Sequence, residues 1–224
     1  MILHKVPIYT ILFILLSSSY TQLTAQTASE GKYPQYLFPD FTNGVIKLKT
    51  GQSHTQKINY NTISERMVFQ KDAQYLDMTN IEAVDTIIIQ DRAFVLINKS
   101  FYEVLVNAPV TLFLQHKSDL IEQGSPSGYG GTSQTSAINV YSSVNMAGRT
   151  FNMEVPPEYT IKPSSVYWIR EGEKLSSFLT MRQLLKIFTK ENSEVKKFIE
   201  QNRIKIENRD GLVKLVNFYN QIIK

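Results

Sequence analysis

Asp85-Thr86-Ile87-Ile88-Ile89-Gln90-Asp91-Arg92-Ala93-Phe94-Val95-Leu96-Ile97 decides the fold class of this 224-residue chain. Residues 85–89 read as a buried strand, because β-branched side chains crowd a helix but pack well on a pleated surface. Asp91-Arg92 reads as a tight turn, and Phe94 to Ile97 as the strand that returns from it. Outward from this hairpin the pattern repeats. Phe101 to Val106 and Val110 to His116 follow it. Before it come Arg66 to Gln70, a polar turn at Lys71-Asp72-Ala73, and Tyr75 to Met78. Earlier still, Val45 to Lys49 alternates apolar and basic residues, turns at Thr50-Gly51-Gln52, and returns through Gln56 to Tyr60. A helix of one or two turns is compatible with Asn80 to Val84. The spacing predicts an antiparallel β meander or partly closed sheet over residues 36–122.

Beyond it, residues 123–150 hold a Gly/Ser-rich stretch that reads as a flexible loop. Residues 151–179 read as an extended segment, punctuated by Pro156-Pro157 and Pro163, and then a hairpin. Its arms are Val166 to Ile169 and Lys174 to Phe178, around a turn at Arg170-Glu171-Gly172-Glu173. From Thr180 to the end the period changes to 3.6. Met181, Leu184, Leu185 and Phe188 form one apolar stripe, with Thr180 as its N-cap. Val195, Phe198 and Ile199 mark a second helix, capped by Asn192 or Ser193. Asp210 opens a third, with Leu212, Leu215, Val216, Tyr219, Ile222 and Ile223 on one face. Residues 180–224 therefore predict a unit of about three short helices, and the fold class is α+β.

Residues 1–25 combine His4 and Lys5, an apolar run from Val6 to Leu16, and a small residue at Ala25. That is the pattern of a secretory signal peptide, which predicts export to the periplasm, cell surface or medium of a bacterium. Residues 26–35 read as a disordered N-terminus. The chain has no cysteine, which excludes disulfides, thiolate metal sites, a cysteine nucleophile and a lipidated cysteine. No later apolar run approaches the roughly 20 residues of a membrane helix. The net charge is +4, too small to imply an anionic partner. From Glu173 onward eleven Lys/Arg face six Asp/Glu, but they alternate along helical segments and read as a solvated surface. No nucleic-acid partner is expected.

Tyr36-Leu37-Phe38-Pro39-Asp40-Phe41, Gly44-Val45, Gly51, Asn59-Tyr60-Asn61, Met67-Val68-Phe69 and Val84-Asp85-Thr86 resemble the opening of secreted Bacteroidota proteins that carry no assigned activity. The tail is similar too, through Arg182 to Phe188, Val195 to Ile199, Asn202, Ile204-Lys205, Asp210 and Leu212 to Val216. The resemblance implies an envelope location and a β-rich body with a helical tail. It implies no catalytic residues. The matched positions are mostly aromatic, apolar and glycine, which suits a structural motif.

The chemistry-bearing motifs are sparse. Gly128-Tyr129-Gly130-Gly131-Thr132-Ser133 lacks the Lys and the following helix of a phosphate loop, so it reads as a loop and no cofactor is expected. Tyr129, Gly130 and Gly131 at its tip are the candidate binding residues, with an envelope protein or glycan as partner. Gly124-Ser125-Pro126-Ser127-Gly128 has Pro126 where a nucleophile elbow needs Ser. His54, beside Ser53 in an expected turn, and His116, near Asp119, are the only imidazoles after residue 25, and both read as ordinary exposed histidines because nothing local supplies a third catalytic partner. Asp72 with Asp77, or Asp85 with Asp91, are candidate carboxylate pairs, although turn-capping acids are commoner. No metal-ligand spacing is present. The expected function is a non-enzymatic binding or assembly module of the bacterial cell envelope. The alternative is a secreted hydrolase of glycans or peptides that works through His54 or His116 with a nearby Asp.

Overall fold

A computed structural model describes residues 33–72, 74–122, 155 and 159–223. The signal-peptide reading, residues 26–32 and the Gly/Ser loop with Tyr129, Gly130 and Gly131 lie outside them. Ten strands form one antiparallel sheet: β1 (Thr42–Leu48), β2 (Ser53–Asn61), β3 (Arg66–Lys71), β4 (Gln74–Asp77), β5 (Val84–Ile89), β6 (Arg92–Ile97), β7 (Ser100–Val106), β8 (Val110–Gln115), β11 (Val166–Glu171) and β12 (Lys174–Phe178). Between β8 and β11 in the chain, β9 (Ser118–Glu122) and β10 (Tyr159–Pro163) pair separately as a two-stranded ribbon. Three helices close the chain: α1 (Met181–Ile187), α2 (Asn192–Asn202) and α3 (Arg209–Ile222).

The sheet runs β12-β11-β8-β7-β6-β5-β1-β2-β3-β4. It is two meanders laid back to back, joined where β5 returns beside β1. The connection from β4 to β5 passes through a single 3-10 turn at Ile81–Ala83, where the sequence suggests a short helix. The hairpins turn close to the expected places, but Arg92, Arg170 and Glu171, expected in turns, lie on β6 and β11. Gly51 (φ 87°) and Gly172 (φ 59°) supply the left-handed backbone that the β1–β2 and β11–β12 hairpins require.

The sheet then rolls. Strand β3 comes into contact with β7, and the end of β2 is tied to the end of β8. Tyr60 donates its hydroxyl to the His116 carbonyl at 3.1 Å, and the Ser118 N–H donates to the Thr62 carbonyl at 2.9 Å. Beside them Lys117 Nζ lies 3.3 Å from Glu65 Oε1. Gly44 permits tight packing inside the roll, since a Cβ there would meet Ile58 Cγ2 at 2.5 Å.

Alternation along the strands gives the roll an apolar interior of Ile46, Ile58, Tyr60, Met67, Ile87, Ile89, Phe94 and Phe101. The N-terminal segment is strapped onto it by Asn59, whose amide bonds the backbone of Phe38 in both directions and reaches Asp40. A second core forms where the helices cover β7, β8, β11 and β12. Leu112, Ile169 and Phe178 meet Leu184, Phe188, Val195, Leu212, Leu215, Val216 and Tyr219 there. Fully burying each such side chain contributes about 1.5–3 kcal/mol.

Three local expectations are corrected. The second helix is not capped by Asn192 or Ser193. Glu191 (φ 49°) occupies its N-cap without a side-chain bond, and Asn192 Nδ2 instead donates to the Leu185 and Phe188 carbonyls at the end of α1. The third helix is capped by Asn208, one residue before α3 begins, where Asp210 was expected to open it. Residues 159–163, expected as a connection, form β10, with Pro163 at the strand terminus where its missing N–H is tolerated. Thr180 does cap α1, in a reciprocal capping box with Gln183.

Candidate functional site

His116 follows the last residue of β8 and points to the same face as Leu114. Leu114 is paired with Glu103 on β7, and Glu103 with Phe94 on β6. Arg92, two residues before Phe94, shares that face. The register therefore brings Arg92, Glu103 and His116 together. Arg92 donates from Nε to Glu103 Oε1 at 2.8 Å and from Nη2 to Oε2 at 2.6 Å, a bidentate pair. His116 Nε2 lies 2.8 Å from Oε2 and 2.8 Å from Arg92 Nη2. Arg209, at the first position of α3, donates to Oε1 at 2.5 Å. The Arg92 guanidinium also lies 4.9 Å from the Phe38 ring centre and 5.6 Å from that of Phe94.

The Glu103 side chain is 1% exposed. Burial alone would raise its carboxyl, but hydrogen bonds from His116 and Arg92, together with the Arg92 charge, hold it at about 2. His116 is shifted down, first by burial and then by the Arg92 and Arg209 charges, against the raising pull of Glu103. The ring is therefore neutral while the carboxylate is ionised. Arg92 can only donate and Glu103 can only accept, so one imidazole tautomer bonds the carboxylate and the other the guanidinium. Both Glu103 oxygens are engaged, and the cluster ties the roll to the helical unit. His116 is buried rather than exposed as expected, and the carboxylate beside it is Glu103, whereas the sequence neighbour Asp119 lies on β9 opposite Lys162. No Ser or Thr hydroxyl bonds the His116 ring among the described residues.

A second polar chain lies on the opposite face of β8. Trp168 Nε1 donates to Gln115 Oε1 at 2.9 Å, and Gln115 Nε2 donates to Glu65 Oε2 at 2.5 Å. The candidate carboxylate pairs do not form. Asp72 sits in the β3–β4 turn, while Asp77 lies at the far end of that hairpin opposite Val68, bonded to Arg66 at 2.8 Å. Asp85 and Asp91 are likewise at opposite ends of β5 and its turn. No group of three or more metal-binding side chains occurs among the described residues.

His54 is not in a turn but on β2, opposite Ile46 of β1. It lines an open pocket of about 340 Å³ on the interior face of the first meander. The floor is Ile46, Leu48, Phe69, Leu76, Met78 and Val84, and the polar groups around it include His54, Gln56 and Lys71. Alternation explains the set. Ile46 and Leu48, His54 and Gln56, and Phe69 and Lys71 are pairs two apart on β1, β2 and β3. Leu76 on the edge strand β4 faces Phe69 in register and is 45% exposed, one of two large apolar side chains so exposed among the described residues. An open, mostly apolar concavity with few polar groups is the usual form of a small-ligand site.

Sequence reading singled out His54 as an imidazole but missed the pocket, because its walls come from β1 to β5. The alternation on β1 and β3 was the available signal. No helix among the described residues is long and apolar enough to cross a membrane. No protein family, curated protein or solved structure matches the chain.

Proposed function

We propose that this chain is an exported, non-enzymatic binding module of a bacterial cell envelope, and that it binds through the open pocket on the interior face of its first meander. The observation that carries this reading is the apolar floor of Ile46, Leu48, Phe69, Leu76, Met78 and Val84, open to solvent beside an exposed Leu76. The signal-peptide pattern of residues 1–25 supports the export part of the reading. Phe69 is the one benzene ring among the described lining residues, which suits an aliphatic or small aromatic group better than a glycan. The described lining residues around His54 include no Asp or Glu, an arrangement that favours binding over general-base chemistry.

The test is a titration of the mature chain with the uncharged fluorophore N-phenyl-1-naphthylamine. Saturable enhancement at one site, weakened about tenfold or more by Leu76→Glu, is the expected result. Leu76 is exposed enough for that variant to fold, which its far-ultraviolet circular dichroism checks. Absence of saturable enhancement, or equal binding by a folded Leu76→Glu variant, would overturn the reading.

A further inference from the structure

Resting on that reading, we infer that the pocket takes a monomeric aliphatic monocarboxylate of about ten carbons, its chain on the apolar floor and its carboxylate beside Lys71. Three features of the lining lead there. The first is charge. Among the described residues, Lys71 and His54 are the ionisable members of the lining, and it includes neither Asp nor Glu. Lys71 has no ion-pair partner among the described residues. The adjacent acid, Asp72, follows Lys71 in the β3–β4 turn and is not in the lining, and Asp77 at the far end of the hairpin is held by Arg66 on the other face of β4 from Leu76.

The second is placement. Lys71 and Gln56 share the interior face with Phe69 and Ile58, which are paired in register. Both residues also line the pocket, so an ammonium and an amide donor stand among its polar groups. Leu76, Met78 and Val84 lie in the same lining as an apolar complement. The polarity is thus graded across the site, as an amphiphile requires.

The third is size. An apolar cavity of 150 Å³ holds one benzene, so about 340 Å³ accommodates roughly a dozen heavy atoms, the size of decanoate. A two-chain lipid is too large for it.

The experiment is isothermal titration of the mature chain at pH 7.5 with decanoate, 1-decanol and decyltrimethylammonium, below their aggregation concentrations. Decanoate should bind best, and Lys71→Gln should weaken decanoate by about fivefold with decanol unchanged, while Lys71→Arg retains affinity. Equal affinity for all three heads, with sensitivity to Leu76→Glu, would overturn the carboxylate assignment and leave the apolar pocket standing. No binding of any of the three would overturn both. Sedimentation with phosphatidylglycerol vesicles at least as avid as decanoate binding would overturn the monomeric ligand in favour of a lipid surface.

Discussion

Glu103 and Arg209 are 106 residues apart in the chain and meet at 2.5 Å across the boundary between sheet and helices. The carboxylate is buried in the roll, whereas the Arg209 side chain is 46% exposed at the start of α3. One buried anion thus holds two arginines, one from each part of the molecule. Its removal leaves Arg92 uncompensated inside the roll.

Glu103→Gln should therefore destabilise the fold by about 3 kcal/mol, because a buried ion pair that loses one member strands the other. Arg209→Ala should cost about 1 kcal/mol or less, since its side chain is already half in water. Urea denaturation of the three proteins checks the order. Equal losses would mean that Arg92 is not desolvated by the roll.

Acid should weaken the fold in two stages. His116 has a folded pKa below its ordinary 6.5, so on acidification the unfolded chain takes up that proton first, and stability begins to fall below about pH 6.5. Glu103 has a folded pKa of about 2 against an ordinary 4.5. Its contribution is present above about pH 4.5 and lost as the pH falls towards 2. Thermal melts from pH 7.5 to pH 3 should show both stages; His116→Asn should abolish the upper one and, because the His116 hydrogen bond helps to lower the Glu103 pKa, shrink the lower one. A melting temperature that does not decline between pH 6.5 and 5 would contradict this.

Gly44→Ala should destabilise by about 2 kcal/mol, as overpacking of a filled interior does. The added methyl would lie 2.5 Å from Ile58 Cγ2 and 3.1 Å from the Ile88 carbonyl oxygen. The backbone oxygen moves only if β5 moves. Calorimetric melting compared with the parent measures the effect, and an unchanged melting temperature would mean that β1 shifts freely.

Asn220 should be the most sensitive polar position on α3. Its side chain accepts from the Val110 N–H at 2.8 Å and donates to the Val110 and Val216 carbonyls at 2.8 and 2.9 Å. Asn220→Ala leaves the Val110 amide buried without its partner and should cost about 2 kcal/mol. Hydrogen exchange adds a local readout, since the Val110 amide should lose protection before its neighbours on β8.

Much of the architecture was legible before any coordinates. The hairpins around Gly51, Asp72, Asp91 and Gly172 follow from alternation and turn chemistry, which act between residues close in the chain. Thr180 could be read as a cap because a capping box spans only four residues. The reading erred where a residue serves a distant partner. Asn192 has the chemistry of an N-cap but bonds the end of the preceding helix, and β10 finds β9 across a long intervening segment. The candidate site was less legible. His116 was picked out as an imidazole, but its acid was sought at Asp119, three residues away, and stands on another strand. Lys71 was read only as part of a turn.

The order of apolar and polar residues thus specified a meander, a hairpin and three helices, because period and turn preferences are local properties of the chain. The rolling of the sheet, and with it both sites, arose only in three dimensions. Strand register sets Arg92, Glu103 and His116 on one face, and the docking of α3 adds Arg209. The same rolling leaves Ile46, Phe69, Leu76 and Val84 around an open apolar mouth. Register and closure depend on pairing between distant strands, whose energy is carried by packing that no single segment contains.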